Sequence, residues 1–130
     1  MLSLQEIITA TGGHCENMQE LIFTGITTDS RIESSGELFV ALCGERFDGH
    51  AYCKMALEHG AAAVLVSKPV PELPSETVII TVDDTLLAYQ QIAHAYRMSN
   101  KNLKVVAVTG SNGKTSTKDM IAACLSTKFK

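Results

Sequence analysis

A chain of 130 residues, 45% hydrophobic and 19% charged, suits one compact globular domain, or one domain with a fragment of a second. At this length roughly two thirds of the unfolded surface can be buried, so no disulfide or metal staple is needed. A net charge of −3 without a basic run excludes an electrostatic footprint for nucleic acid or an anionic membrane, and positive charge for any anionic ligand has to be local.

The first helix is announced by Ser3 and Glu6 at capping-box spacing, with Leu4, Ile7 and Ile8 on one face and Gly12-Gly13 to end it. A short strand is expected between Leu21 and Thr27, followed by a turn at Thr28-Asp29-Ser30-Arg31 whose side chains can bond nearby backbone. Leu38 to Leu42 is a continuous apolar run, as in a strand buried on both faces. After the loop Gly44 to His50, residues Tyr52, Met55, Ala56 and His59 share one face of a helix that Gly60 closes.

Ala62 to Val66 predicts another buried strand, Pro69, Pro71 and Pro74 an irregular connection, and Thr77 to Val82 a further strand. Asp83 or Asp84 caps a helix with Leu86, Tyr89, Ala93 and Tyr96 inward. Strands alternating with helices imply a layered α/β fold with a largely parallel sheet and flanking helices. The polar stretch Ser99 to Asn102 is the expected boundary, dividing residues 1–100 from residues 101–130.

The longest apolar run, Ala61 to Val66, is too short to cross a bilayer, and Glu6 interrupts any N-terminal targeting pattern. Cys15, Cys43, Cys53 and Cys124 are irregularly spaced and read as reduced thiols, so a cytoplasmic location is expected. Cys43, His50, Cys53 and His59 match no usual zinc spacing; with Cys43 in an apolar strand and Cys53 in a helix, both are expected as buried thiols.

The most informative segment is the last. Val105 to Val108 is an apolar strand pattern that runs into Gly110-Ser111-Asn112-Gly113-Lys114-Thr115-Ser116, after which Thr117, Met120, Ile121, Cys124 and Leu125 recur at helical spacing. Two glycines let backbone N–H groups converge on phosphate oxygens, and a helix start adds partial positive charge. Lys114 can reach the terminal phosphates of ATP and the Thr115 hydroxyl can ligate Mg2+. The common phosphate loop would need glycine at position 108, where Val108 stands; this loop is shorter, and an ordinary turn with a solvated lysine is the competing reading.

Taken in order, Thr28-Asp-Ser-Arg31, Gly36 to Leu42, Gly44-Glu-Arg-Phe-Asp-Gly-His50 and Thr109 to Thr115 resemble the N-terminal part of the Mur ligases, over nearly the whole chain. The resemblance implies a Mur ligase N-terminal substrate-binding domain, plus the first strand, phosphate loop and helix of a truncated P-loop ATPase domain. It implies an ATP- and Mg2+-dependent amide ligase of peptidoglycan synthesis. Within the family the motifs look most like those of members that join D-alanyl-D-alanine to UDP-N-acetylmuramoyl-tripeptide, although members that add the third amino acid share most of them. Carried over by position, Thr28 and Ser30 would contact the uridine diphosphate, and Glu45, Arg46 and Phe47 would line the uracil and ribose. The chain stops at Lys130, so the rest of the central domain, with its acidic magnesium ligands and carbamylated lysine, and a C-terminal domain are expected elsewhere. No ligase turnover is expected of these 130 residues alone. Two rival classes are a small kinase or GTPase, whose loop would normally open the domain, and a non-catalytic nucleotide-sugar-binding module.

Overall fold

The computed structural model describes residues 2–128. Strand β1 (Leu2–Ser3) leads into helix α1 (Leu4–Thr11), where Ser3 and Glu6 form the reciprocal capping box and Gly12 closes the helix in the left-handed conformation. Strand β2 (His14–Cys15) follows, then β3 (Ile22–Phe23) and β4 (Ile26–Thr27). Strand β5 (Leu38–Val40) precedes a hairpin of β6 (Cys43–Gly44) and β7 (Phe47–Asp48), a 3-10 turn at Gly49–Tyr52 and helix α2 (Cys53–Glu58). Strands β8 (Ala63–Val66) and β9 (Val78–Thr81) lead to helix α3 (Thr85–Ser99), and helix α4 (Lys114–Ser126) comes last.

The main sheet has the order β2-β9-β8-β5-β4, parallel throughout except for the antiparallel edge strand β2. Its central strands are buried on both sides, which is why they read as continuous apolar runs. Alternation divides them between two cores. Leu38, Val40, Ala63, Leu65, Val78 and Ile80 face α1 and α3, meeting Leu4, Ile7, Ala88 and Ile92. Phe39, Ala41, Val64 and Val66 face the α2 side, with Cys53 and Ala56.

Gly60 ends the α2 segment with φ +97°, and a Cβ there would lie 2.0 Å from the Ser34 carbonyl oxygen. Both the backbone conformation and the space demand glycine. Gly60→Ala is therefore expected to destabilise the chain by about 2 kcal/mol or more, read as a lowered urea midpoint with unchanged slope.

Several expectations are corrected. The strand expected over Leu21–Thr27 is two strands: β3 pairs antiparallel with β1, while β4 joins the main sheet beside β5. Gly25 separates them, and a Cβ there would sit 2.9 Å from the Glu37 carboxylate. Cys43 lies exposed in the β6–β7 hairpin and not in a buried strand, because the chain leaves the sheet after Val40. On α3, capped by Asp84, the inward residues are Thr85, Ala88 and Ile92, with Tyr89 partly buried, whereas Leu86, Ala93 and Tyr96 are exposed. Val105 to Val108 forms no strand; among the described residues no neighbour pairs with it. Helix α4 does form at the expected place, but none of its residues is buried, and Met120 and Leu125 are exposed.

Candidate functional site

In an open α/β sheet, ligands bind where loops leave the carboxyl ends of parallel strands. Here β4 delivers Thr28–Arg31, β5 delivers the β6–β7 hairpin, and β8 delivers Ser67 and Lys68 to that same end. A cleft of about 480 Å³ opens there, lined by Thr28, Asp29, Ser30, Arg31, Phe47, Tyr52 and Met55.

The Thr28–Arg31 turn is held by its own side chains. Thr27 Oγ1 accepts the Asp29 N–H at 3.2 Å, and Asp29 Oδ1 accepts the Arg31 N–H at 3.0 Å. Ser30 is 8% exposed; its hydroxyl donates to Met55 Sδ at 3.6 Å, and its carbonyl accepts from His59 Nδ1 at 2.7 Å. The Arg31 guanidinium grips Asp29 in a fork, Nε at 2.8 Å and Nη2 at 2.6 Å, and stays exposed toward the cleft mouth.

The hydrogen bonds from the Arg31 side chain, then that from its backbone, draw the Asp29 carboxyl down to about 2. A carboxylate lowered on folding contributes stability that is present above its unfolded value and lost as pH falls through its folded one. Asp29→Asn is accordingly expected to flatten part of the stability loss between about pH 4 and pH 2, measured by thermal melts across that window.

At the other end of the cleft, the Phe47 and Tyr52 rings stack with centroids 5.3 Å apart and planes 7° from parallel. Phe47 is 50% and Tyr52 38% exposed, so the pair presents aromatic surface to solvent. The arrangement suits a molecule with a planar ring at one end and an anionic group at the other: aromatic faces take the ring, and turn hydroxyls and a guanidinium take the anion.

Of the expected substrate contacts, Thr28, Ser30 and Phe47 are brought together. Glu45 and Arg46 are not; they are the exposed turn residues at the hairpin tip, outside the cleft lining. Tyr52 and Met55 were not expected as site residues. Their signal was present in the helical spacing of Tyr52, Met55 and His59, a face directed at the Thr28–Arg31 turn and not into the core.

Cys43, Asp48 and His50 bring their metal-ligating atoms within 4.8 Å of one another. The bonding there is that of a closed node. His50 Nε2 accepts the Ser67 N–H at 2.9 Å, so its proton sits on Nδ1 and is donated to Asp48 Oδ1 at 2.7 Å. Lys68 Nζ holds Asp48 Oδ2, and the Cys43 thiol donates to Oδ1. Lys68, His50 and Cys43, in that order, hold the Asp48 carboxyl well below the usual carboxylate range, while Asp48 pushes the Cys43 thiol up. An ammonium, an imidazole N–H and a thiol proton fill the positions a cation would need. Burial pushes the Cys53 thiol up to about 11, as expected of an inert core cysteine.

In the loop Gly110–Gly113, Gly113 has φ +74° and immediately precedes α4; Gly110 has φ +151°. The first helical bond runs from the Thr117 N–H to the Gly113 carbonyl, which leaves the amides of Lys114, Thr115 and Ser116 at the helix start without intrahelical acceptors. Lys114 Nζ folds back onto the Gly110 carbonyl, across the mouth of the loop. Open space lies where a Gly113 Cβ would stand. Three helix-start amides and one ammonium fit a polyphosphate. Thr115 offers one hydroxyl as a ligand for magnesium.

Two family models match the chain: "Mur ligase family, catalytic domain" over residues 22–97 and "Mur ligase middle domain" over residues 108–130. The fold and these matches define the class, and the chain belongs to the Mur ligase family. More particularly, it is similar to the N-terminal part of MurF. The UDP-N-acetylmuramoyl-tripeptide–D-alanyl-D-alanine ligase of Bacillus subtilis is 47% identical over 112 residues, 86% of this chain and 24% of that protein. A crystal structure of MurF from Acinetobacter baumannii superposes with TM-score 0.83 at 37% identity, covering 95% of this chain and 27% of that one. MurF ligase from Thermotoga maritima in complex with ADP gives TM-score 0.63 at 32% identity, over 85% of this chain and 25% of its own. A UDP-N-acetylmuramoyl-L-alanyl-D-glutamate–2,6-diaminopimelate ligase from Syntrophomonas wolfei also matches, 39% identical over 78% of this chain and 21% of its own length. The chain thus spans about a quarter of the length of these relatives.

Proposed function

We propose that this chain is the substrate-binding beginning of an ATP-dependent ligase that joins D-alanyl-D-alanine to UDP-N-acetylmuramoyl-tripeptide in peptidoglycan precursor synthesis. Residues 1–100 form the domain that binds the UDP end of the substrate, and residues 101–130 begin the central ATP-binding domain. The supporting observation is the cleft at the carboxyl ends of β4 and β5, where the Thr28–Arg31 turn faces the Phe47–Tyr52 stack. Thr28 and Ser30 serve the diphosphate, and Phe47 serves the uracil; Glu45 and Arg46, at the hairpin tip, border the uracil and ribose, partly through backbone groups.

In the complete enzyme ATP supplies a phosphoryl group to the substrate's terminal carboxylate. The amine of D-alanyl-D-alanine then attacks the acyl phosphate carbon, the amide bond forms and inorganic phosphate leaves, with ADP as the other product. The loop Gly110, Ser111, Asn112, Gly113 cradles the phosphates with the helix-start amides of Lys114, Thr115 and Ser116. Lys114 neutralises the γ-phosphate and Thr115 holds Mg2+. No described helix is long and apolar enough to cross a membrane, and a cytoplasmic site of action is part of this reading.

A ligase that adds the third amino acid is the second reading, favoured by the match to a diaminopimelate ligase. A non-catalytic nucleotide-binding module is the third. Calorimetric titration of the 130-residue chain with UDP, UDP-N-acetylmuramoyl-tripeptide and ATP tests the assignment. Binding that requires the uridine moiety is expected; affinity for purine nucleotides alone would replace the ligase reading with a kinase or GTPase. Assay of the longer protein with D-alanyl-D-alanine against diaminopimelate separates the first two readings.

A further inference from the structure

We propose that His50 is a positioning residue for the cleft: through Asp48 it fixes the β6–β7 hairpin, and with it the Phe47 ring, to the centre of the main sheet. The inference rests on the uridine reading given above.

The hairpin has little of its own to hold it. Its strands are two residues each, too short to be stable alone, and Phe47 is half exposed with Tyr52 as its stacking partner. The imidazole of His50, by contrast, is buried, with both ring nitrogens committed. Ser67, whose N–H reaches Nε2, directly follows β8, a strand paired on both sides by β5 and β9. Asp48, which receives the Nδ1 proton, directly follows Phe47 and also accepts the His50 N–H at 3.1 Å.

A line of hydrogen bonds therefore runs from a strand buried along its whole length and paired on both sides, through one ring, to the backbone that carries the aromatic wall of the cleft. Next to it, the Gly49 N–H donates to the Leu42 carbonyl at 2.8 Å, and a Cβ on Gly49 would meet that same oxygen at 2.8 Å. The base of the hairpin is thus pressed against the exit of β5 with no room to slide. Rotating or removing the imidazole frees the hairpin relative to the Thr28–Arg31 turn, and the two halves of the cleft lose their register.

The test is calorimetric titration of UDP into the 130-residue chain, native and as His50→Ala, Asp48→Ala and Asp48→Asn. Thermal unfolding and long-range 1H–15N NMR of the imidazole accompany it. Asp48→Asn keeps an oxygen that accepts the Nδ1 proton; Asp48→Ala does not. The native chain is expected to show the Nδ1-protonated tautomer. His50→Ala and Asp48→Ala are expected to bind UDP about tenfold more weakly, and Asp48→Asn to recover most of that loss. Should His50→Ala fail to fold, the Asp48 pair decides alone. An Nε2-protonated tautomer, native UDP affinity in folded Asp48→Ala, or a deficit that Asp48→Asn does not relieve overturns the inference and leaves the uridine reading standing. A native chain that binds no UDP overturns both.

Discussion

Changing Lys114 to Ala in the complete ligase is expected to lower turnover about a thousandfold while leaving the KM for the uridine-linked substrate within about a factor of two. The split follows from geometry. Lys114 opens α4, and its Nζ lies over the mouth of the Gly110–Gly113 loop, on the Gly110 carbonyl. In the proposed reaction an ammonium there would meet charge that builds on the transferring phosphoryl group, and so would act more on the transition state than on the ground state. The cleft proposed for the uridine end is built by other elements, those at the carboxyl ends of β4 and β5. Coupled measurement of ADP release checks the prediction. Turnover within tenfold of native would return Gly110–Lys114 to the status of a plain surface turn.

Phe47→Ala is expected to weaken UDP binding by about 1–3 kcal/mol, roughly fivefold to 150-fold, with a Tm close to native. The stability side follows from exposure: a half-exposed ring outside both cores removes little buried surface when truncated. The binding side follows from stacking, because loss of Phe47 leaves Tyr52 without its parallel neighbour and removes one wall of the cleft. Calorimetry with UDP and with inorganic pyrophosphate separates the two ends of the ligand. Phe47→Ala is expected to change the first and spare the second; an equal loss for both would place the ring in fold maintenance and not in base recognition.

Legibility differed by element for physical reasons. The strands at Leu38, Ala63 and Val78 and the helices at Leu4, Thr85 and Lys114 announce themselves, because capping residues and apolar runs act within a few residues of where they stand. The split of Leu21–Thr27 does not, since an apolar alternation says that a segment is extended and not which neighbour it pairs with; β3 and β4 choose different partners, β1 and β5. The same limit explains Val105–Val108. Its composition is that of a buried strand, but a strand exists only as half of a ladder, and none of the described strands lies beside it.

Side-chain facing was harder still. Cys43 continues an apolar run and reads as core, yet the chain turns out of the sheet three residues after β5 and carries it to the surface. On α3 the apolar stripe is broad, and packing against the sheet selected Ala88 and Ile92, leaving Leu86 and Tyr96 outside. At the site, Thr28, Ser30 and Phe47 were legible as motif members, whereas the roles of Tyr52, Met55 and Asp29 as cleft walls depend on how α2 sits against the turn after β4.

Local order, the alternation of strand and helix, the glycine bend ahead of Lys114 and the family motifs are properties of neighbouring residues, and the amino-acid string determines them unaided. Sheet order, the antiparallel edge at β2, and the meeting of a turn at residue 30 with a ring at residue 47 and a helix at residue 55 belong to the tertiary structure alone. The reason is that each requires one segment to choose among distant partners. That choice is made by the shared burial of two sheet faces and not by any residue's own preference.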